Sequence, residues 1–163
     1  MSRSGYRDGL DDWDLIRWRG AVASAIRGKR GQAFLRDLIA ALDEMPERRL
    51  VAGALKVEMG DQLQDEWGEP WGPKTEEHCG VCALGALGQA RGMTGGEMKA
   101  IRPDDREALS DTFGIAEALV AEVMWVNDEI WGDTSPERRW RVVRDWAENQ
   151  LLPPREAPEV AER

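Results

Sequence analysis

The string HCGVC at 78–82 contains the residue types best suited to chemistry in this sequence. Thiolate and imidazole groups bind zinc, and two cysteines separated by two residues are typical of one half of a zinc site. His78, Cys79 and Cys82 are the only histidine and the only cysteines in the chain, so a four-ligand site would need carboxylates or a second subunit. The spacing leaves zinc binding as one alternative for this segment.

The two cysteines also fit a dithiol at the start of a helix, where the positive end of the helix dipole favours a thiolate. Thioredoxin-like proteins place such a dithiol after a β-strand, whereas the preceding residues here, WGPKTEEH, predict a loop. A Cys82 nucleophile with His78 as its base is a further alternative, but no third catalytic residue is indicated. The simplest interpretation is that Cys82 packs as a small apolar residue. We therefore expect no enzymatic activity and no cofactor.

A basic segment, RGKRG at 27–31, is the second candidate site. Its two glycines predict a loop, and Arg27, Lys29 and Arg30 could hold a phosphate or a nucleic-acid backbone. No acidic residue occurs between Asp14 and Asp37. The segment matches neither a Walker loop nor a dinucleotide-binding fingerprint, so phosphate binding is an alternative to a solvated loop.

The overall charge disfavours a general nucleic-acid-binding protein. The chain carries 22 Lys and Arg against 31 Asp and Glu, a net charge of −9, which repels phosphates. The acidity is concentrated in residues 101–163, with fifteen acidic and eight basic residues. An acidic surface suits basic patches on other proteins. The carboxylates expected to contact a partner are Asp104, Asp105, Asp128 and Glu129.

The chain also contains eight tryptophans, a residue type favoured at binding hot spots. Trp67 and Trp71 lie in the segment EWGEPWGPK, which predicts an aromatic loop. Trp146 forms with Val142 a second apolar strip on the last predicted helix, and Trp13 lies outside the apolar stripe of the first. These side chains predict a protein interface or a homodimer.

Hydrophobic periodicity predicts an all-α, single compact domain over residues 11–152, with a flexible segment at 1–10 and a mobile tail at 153–163. Residues 48–60 predict either one short β-hairpin or a helix containing a glycine. Thr134 and Glu137 have the spacing of a capping box. No apolar run approaches the roughly 18 to 20 residues of a membrane span, so we expect a cytoplasmic location. The predicted helices cover 12–26, 32–45, 81–90, 103–113, 115–129 and 134–151. Gly114 is predicted as the left-handed C-cap of the fourth helix. The predicted apolar face of the second helix consists of Phe34, Leu35, Leu38, Ile39, Leu42 and Met45.

Four segments together resemble a set of uncharacterised phage and prophage proteins. They are RGKRGQAFLRDLIAALDEMPERRL (27–50), VCALGALG (81–88), FGIAEALVAEVMWVNDE (113–129) and TSPERRWRVVRDW (134–146). The resemblance implies a phage or prophage origin but no catalytic residue, and His78 and Cys79 lie outside the shared pattern. The residues that match the pattern are Cys82, Gly85, Gly114, Asn127 and Asp128.

The negative charge, the surplus tryptophans and the phage resemblance together predict a small acidic binding protein. Such a protein would act stoichiometrically on a host protein or ribonucleoprotein complex in the host cytoplasm, as an anti-defence inhibitor of the anti-CRISPR type. One alternative is thiol or zinc chemistry at His78, Cys79 and Cys82. The other is nucleic-acid or phosphate binding through Arg27, Lys29 and Arg30.

Overall fold

Two long helices, α1 (Asp12–Arg27) and α2 (Lys29–Glu44), follow one another with only Gly28 between them. The computed structural model describes residues 11–61, 63–64, 69–71, 79–129 and 134–153. The remaining helices in this part of the chain are α3 (Ala83–Ala90), α4 (Gly95–Ala100), α5 (Arg106–Phe113), α6 (Glu117–Asp128) and α7 (Pro136–Asn149). The predicted all-α class is confirmed, and no helix of the described part is long and apolar enough to cross a membrane.

The predicted basic loop at 27–31 is wrong, because helix continues on both sides of Gly28. Arg27 ends α1, while Lys29 and Arg30 form the first turn of α2. A Cβ atom built on Gly31 would lie 2.0 Å from the carbonyl oxygen of Ala25. Gly31 therefore serves close packing of α2 against the end of α1 rather than loop flexibility.

Helix α2 lies at the centre of the core. Its predicted apolar face is confirmed, with Phe34, Leu35, Leu38 and Leu42 at most 2% exposed. The helix packs against α1, α3 and α7, and α6 completes the core by packing against α1, α3, α5 and α7. Burial of the apolar stripes of these helices supplies the main stabilising term of the fold.

Neither of the two alternatives predicted for 48–60, a short β-hairpin or a helix containing a glycine, is present. This segment contains one strand, β1 (Lys56–Val57), and its antiparallel partner is β4 (Gly80–Val81). A second small sheet pairs β2 (Leu63–Gln64) with β3 (Pro70–Trp71). Leu50, Val51, Leu55 and Val57 are buried, whereas Met59 is exposed. Val51 N donates to Val81 O at 3.0 Å, which ties the segment to β4.

Side-chain caps set the helix starts that the periodicity had placed a few residues away. The N-cap of α7 is Ser135, whose hydroxyl accepts from Arg138 N, rather than the predicted Thr134. This choice leaves Pro136 at the first helical position, where its missing N–H is harmless. Asp105 caps α5 in the same way, so this helix begins after the predicted Pro103.

The short helix α4 is absent from the sequence-based prediction, although its start carries a complete capping box. Thr94 Oγ1 accepts from Glu97 N, and the Glu97 carboxylate accepts from Thr94 N. Gly114, by contrast, was predicted correctly as the left-handed C-cap of α5, with φ of 68°. Helix α4 has only six residues, whereas hydrophobic periodicity is recognisable only over a longer stretch of chain.

Ion pairs on the surface connect elements that are distant in sequence. Arg144 Nε on α7 donates to Asp43 Oδ1 on α2 at 2.7 Å, which holds the pKa of Asp43 below its usual value. Lys99 on α4 donates to Glu58 and Asp61, and these hydrogen bonds lower the pKa values of both carboxyl groups. Such exposed pairs fix orientation and contribute little stability.

Two glycines inside helices give a matched test of this packing. A Cβ on Gly85 would lie 1.9 Å from the carbonyl oxygen of Leu55, whereas a Cβ on Gly20 would have nothing within 4 Å. We expect Gly85→Ala to lower the free energy of unfolding by about 3 kcal/mol through overpacking. Gly20→Ala should raise the free energy of unfolding of the single chain by up to about 1 kcal/mol, because alanine is the better helix former. Urea denaturation of both variants measures this, and equal effects would contradict the close packing of α3.

Candidate functional site

A buried asparagine lies where α6 ends, and it bonds to two distant segments. Asn127 is 4% exposed. Its Oδ1 accepts from Ala83 N at the start of α3 at 3.0 Å, and its Nδ2 donates to Val51 O at 2.9 Å. The side chain thus satisfies one backbone donor and one backbone acceptor that would otherwise be buried without partners.

Arg139, on the first turn of α7, extends this network. It is 8% exposed, and its Nε donates to Asn127 O at 2.8 Å while Nη1 donates to Leu50 O at 3.1 Å. The guanidinium group therefore binds carbonyl oxygens at the end of α6 and in the segment that precedes β1. These hydrogen bonds are structural ones, since they are made to the backbone.

A cleft opens beside the network, with Asp128 on its wall. Asp128 Oδ1 accepts from Asn127 Nδ2 at 2.6 Å and from Gly53 N at 3.3 Å. The cavity volume is about 10 Å³, about the smallest that admits one water molecule. This cleft therefore does not enclose a small-molecule substrate. Its walls are formed by Ala54, Leu55, Cys82, Ala83, Leu84, Pro103, Val123, Met124, Asn127 and Asp128.

Cys82 lies in the core and caps α3, in agreement with the interpretation of a packed residue at a helix start. It is 8% exposed, and its Sγ accepts from Gly85 N at 3.4 Å. Cys79 is half-buried before β4, and His78 lies outside the described residues. Among the residues that the structure describes, no group of three or more histidine, cysteine, aspartate or glutamate side chains could hold a metal ion.

Helices α5 and α6 and the residues just before α5 carry a strongly acidic surface. Residues 103–129 contain eight acidic residues and one basic residue, Arg106, which lies over the ring of Trp18 at 6.0 Å from its centroid. Glu122 is buried and Asp128 is half-buried. We call the exposed carboxylates the acidic surface: Asp104, Asp105, Glu107, Asp111, Glu117 and Glu129.

The predicted partner-binding carboxylates include residues that stabilise local structure. Asp104 binds Arg102 at 2.7 Å, Asp105 caps α5 by accepting from Ala108 N, and Asp128 lies on the cleft. Glu129 is exposed at the C-cap of α6. Asp104, Asp105 and Glu129 thus belong to the acidic surface, whereas Asp128 is half-buried and accepts hydrogen bonds from Asn127 and Gly53.

The predicted apolar contact residues are placed differently. Val142 and Trp146 on α7 are half-buried and pack against the core, so the second apolar strip is partly covered within the chain. Trp67 lies outside the described residues, and for Trp71 the structure describes only the backbone, in β3. Arg27, Lys29 and Arg30 are exposed around Gly28.

The sequence-based prediction missed Arg139 and Gln32, two buried polar side chains that, like Asn127, connect elements distant in sequence. Gln32 Nε2 donates to Ile26 O and to Gln150 O, and its Oε1 accepts from Leu152 N. Both residues occupy apolar stripes, Arg139 four residues before Val143 and Gln32 three before Leu35. A polar residue on a buried stripe is the signal that could have identified them.

Comparison with known proteins gives no match, since no family model, no curated protein and no solved structure is similar to the chain. The chemistry of the surfaces and of the buried network is therefore the basis on which a function can be assigned.

The network predicts that Asn127 is required for stability. Asn127→Ala would leave Ala83 N and Val51 O buried without partners, and we expect the free energy of unfolding to fall by about 3 kcal/mol. Asn149→Ala, at the exposed end of α7, is the matched control and should change it by less than about 0.5 kcal/mol. Chemical denaturation measures both, and a similar small loss for the two variants would contradict the structural role.

Proposed function

We propose that the chain is a non-catalytic binding protein that attaches its acidic surface to a basic surface of a host protein or ribonucleoprotein complex. The main support for this proposal is that the carboxylates of Glu107 and Asp111 are both exposed, one turn apart on α5. Neither forms an ion pair with the described residues. Like charges at this spacing destabilise a helix. Glu107 lies in the first turn of α5, where the helix dipole favours a carboxylate, but no such reason applies to Asp111, whereas a basic partner would account for both.

The finer form of this proposal is an anti-defence inhibitor, for example one directed at a CRISPR effector. It is supported by the resemblance to phage proteins and by the value of a carboxylate surface as a competitor for a nucleic-acid-binding site. The engagement of Asn127, Arg139 and Cys82 in structural contacts also supports a role without catalysis. In this form the protein acts stoichiometrically in the host cytoplasm.

Neutralising the carboxylate pair tests the proposal. We expect Glu107→Gln with Asp111→Asn to reduce partner capture from a bacterial host lysate roughly tenfold, since each interfacial charge contact is worth about 1 kcal/mol or more. Glu44→Gln with Asp145→Asn changes two exposed carboxylates elsewhere by the same total charge and should leave capture unchanged. Affinity capture at increasing salt, with native mass determination of the eluate, measures both stoichiometry and loss. Equal capture by the two double variants would contradict the proposal.

A second candidate function is phosphate or nucleic-acid binding, favoured by Lys29 and Arg30 in the first turn of α2. Cations are unfavourable at that end of a helix dipole, and no acidic residue occupies the turn. With Arg27, these residues present three exposed cations around Gly28. Three cations are few compared with the net charge of −9 of the whole chain, and phosphate or nucleic-acid binding is therefore the second candidate function.

The second candidate predicts salt-dependent binding of duplex DNA or RNA that is lost in Lys29→Ala with Arg30→Ala. Arg36→Ala with Arg141→Ala removes two exposed cations from other positions and should retain binding. Fluorescence anisotropy at two salt concentrations measures the difference. Absence of binding by the unaltered chain at low salt would exclude this function.

A further inference from the structure

Helix α1 has an exposed face that contains two large apolar side chains. Trp13 is 72% exposed and Ile16 is 59% exposed. At 100° per residue these side chains share a stripe with Gly20 and Ser24, which are also exposed, and the exposed Arg17 lies along one edge of this stripe. The stripe lies opposite Val22, whose side chain is buried in the core. The helix therefore presents an apolar and small-residue face that the described residues do not cover.

Gly20 lies at the middle of this face, where the fold gives no steric reason for glycine. A Cβ at this position would meet nothing within 4 Å, and glycine in a helix interior is destabilising relative to alanine. Gly31 and Gly85 differ, because other backbone segments of the same chain fill the space where their Cβ would be. Close approach of a helix from outside the chain would explain Gly20.

The charges along α1 specify the direction of an approaching helix. Asp11, Asp12 and Asp14 surround its start, whereas Arg27 ends it and Lys29 follows. Two further cations, Arg17 and Arg19, lie between the ends, and Arg17 is paired with Asp14 of the same helix. An antiparallel copy of the same helix places each acidic end against a basic end, while a parallel copy would oppose like charges. The two ends of α1 are therefore complementary in charge when two copies run antiparallel.

We propose that α1 docks against α1 of a second copy of this chain, antiparallel, with the two-fold axis at Gly20. In this register Gly20 meets Gly20 of the partner subunit, and Ile16 meets Ser24 of the partner subunit. Trp13 meets Arg27 of the partner subunit, where a guanidinium over the indole ring is favourable. The interface is isologous, because each contact occurs twice, and it uses other residues than the acidic surface does.

Gly20→Gln tests the close approach, because glutamine is a better helix former than glycine and has open space in the single chain. We expect sedimentation velocity of the full chain to show a concentration-dependent dimer. Gly20→Gln should raise the dissociation constant of the dimer roughly tenfold or more. Ala40→Gln, on the exposed side of α2, is the control and should dimerise normally. A strictly monomeric chain, or a dimer unaffected by Gly20→Gln, overturns the proposal.

A charge swap tests the antiparallel direction and leaves the Asp11 cap of α1 intact. One variant carries Asp12→Lys and Asp14→Lys, and the other carries Arg27→Glu and Lys29→Glu. Each alone opposes like charges at both ends of the interface, whereas a mixture of the two restores opposite charges at both ends. We expect monomers of each variant and a heterodimer in the mixture, detected by native mass spectrometry. The absence of a heterodimer in the mixture would overturn the proposal. So would a chain that is monomeric and dimerises only after residues 1–10 are removed, because this result would assign the face to the chain's own N-terminal segment.

Discussion

The fold depends on how buried backbone groups are satisfied at the point where α6 ends. Asn127 bonds the first amide of α3 and a carbonyl in the segment before β1, and Arg139 binds carbonyl oxygens of Asn127 and Leu50. These groups are buried, where an unmade hydrogen bond costs about 1 to 3 kcal/mol each. The side chains of Asn127 and Arg139 therefore hold α3, α6, α7 and the segment before β1 in one arrangement.

Close contact between backbones is the second constraint on this arrangement. Gly31 lets α2 begin directly against the last turn of α1, and Gly85 lets α3 lie against the carbonyl of Leu55. Since Cys82 N donates to the same Leu55 oxygen at 3.1 Å, the α3 start is bound at several points. Small residues and the Asn127 network act on the same helix, so their effects are coupled.

The buried polar network and the exposed surfaces serve different purposes. Inside, Asn127, Arg139 and Gln32 form hydrogen bonds to backbone groups, and the cleft beside Asn127 has room for about one water molecule. Outside, Glu107 and Asp111 on the acidic surface form no ion pair with the described residues, and Trp13 and Ile16 on the α1 face are exposed. Both proposals of macromolecular binding rest on these surface residues.

Local sequence signals determined the helical class and most helix faces, because the periodicity of apolar residues depends on positions one turn apart. The stripes of α2 and the Gly114 cap are examples. Where the outcome depended on distant residues, the local signals failed. The glycines of 27–31 resemble a loop until α2 packs on α1, and the strand in 48–60 pairs with β4 rather than within its own segment. Arg139 is likewise an ordinary cation on a predicted helix. Only the tertiary structure brings the carbonyls of Leu50 and Asn127 to its guanidinium, because hydrogen-bond partners far apart in sequence are selected by packing and leave no periodic pattern.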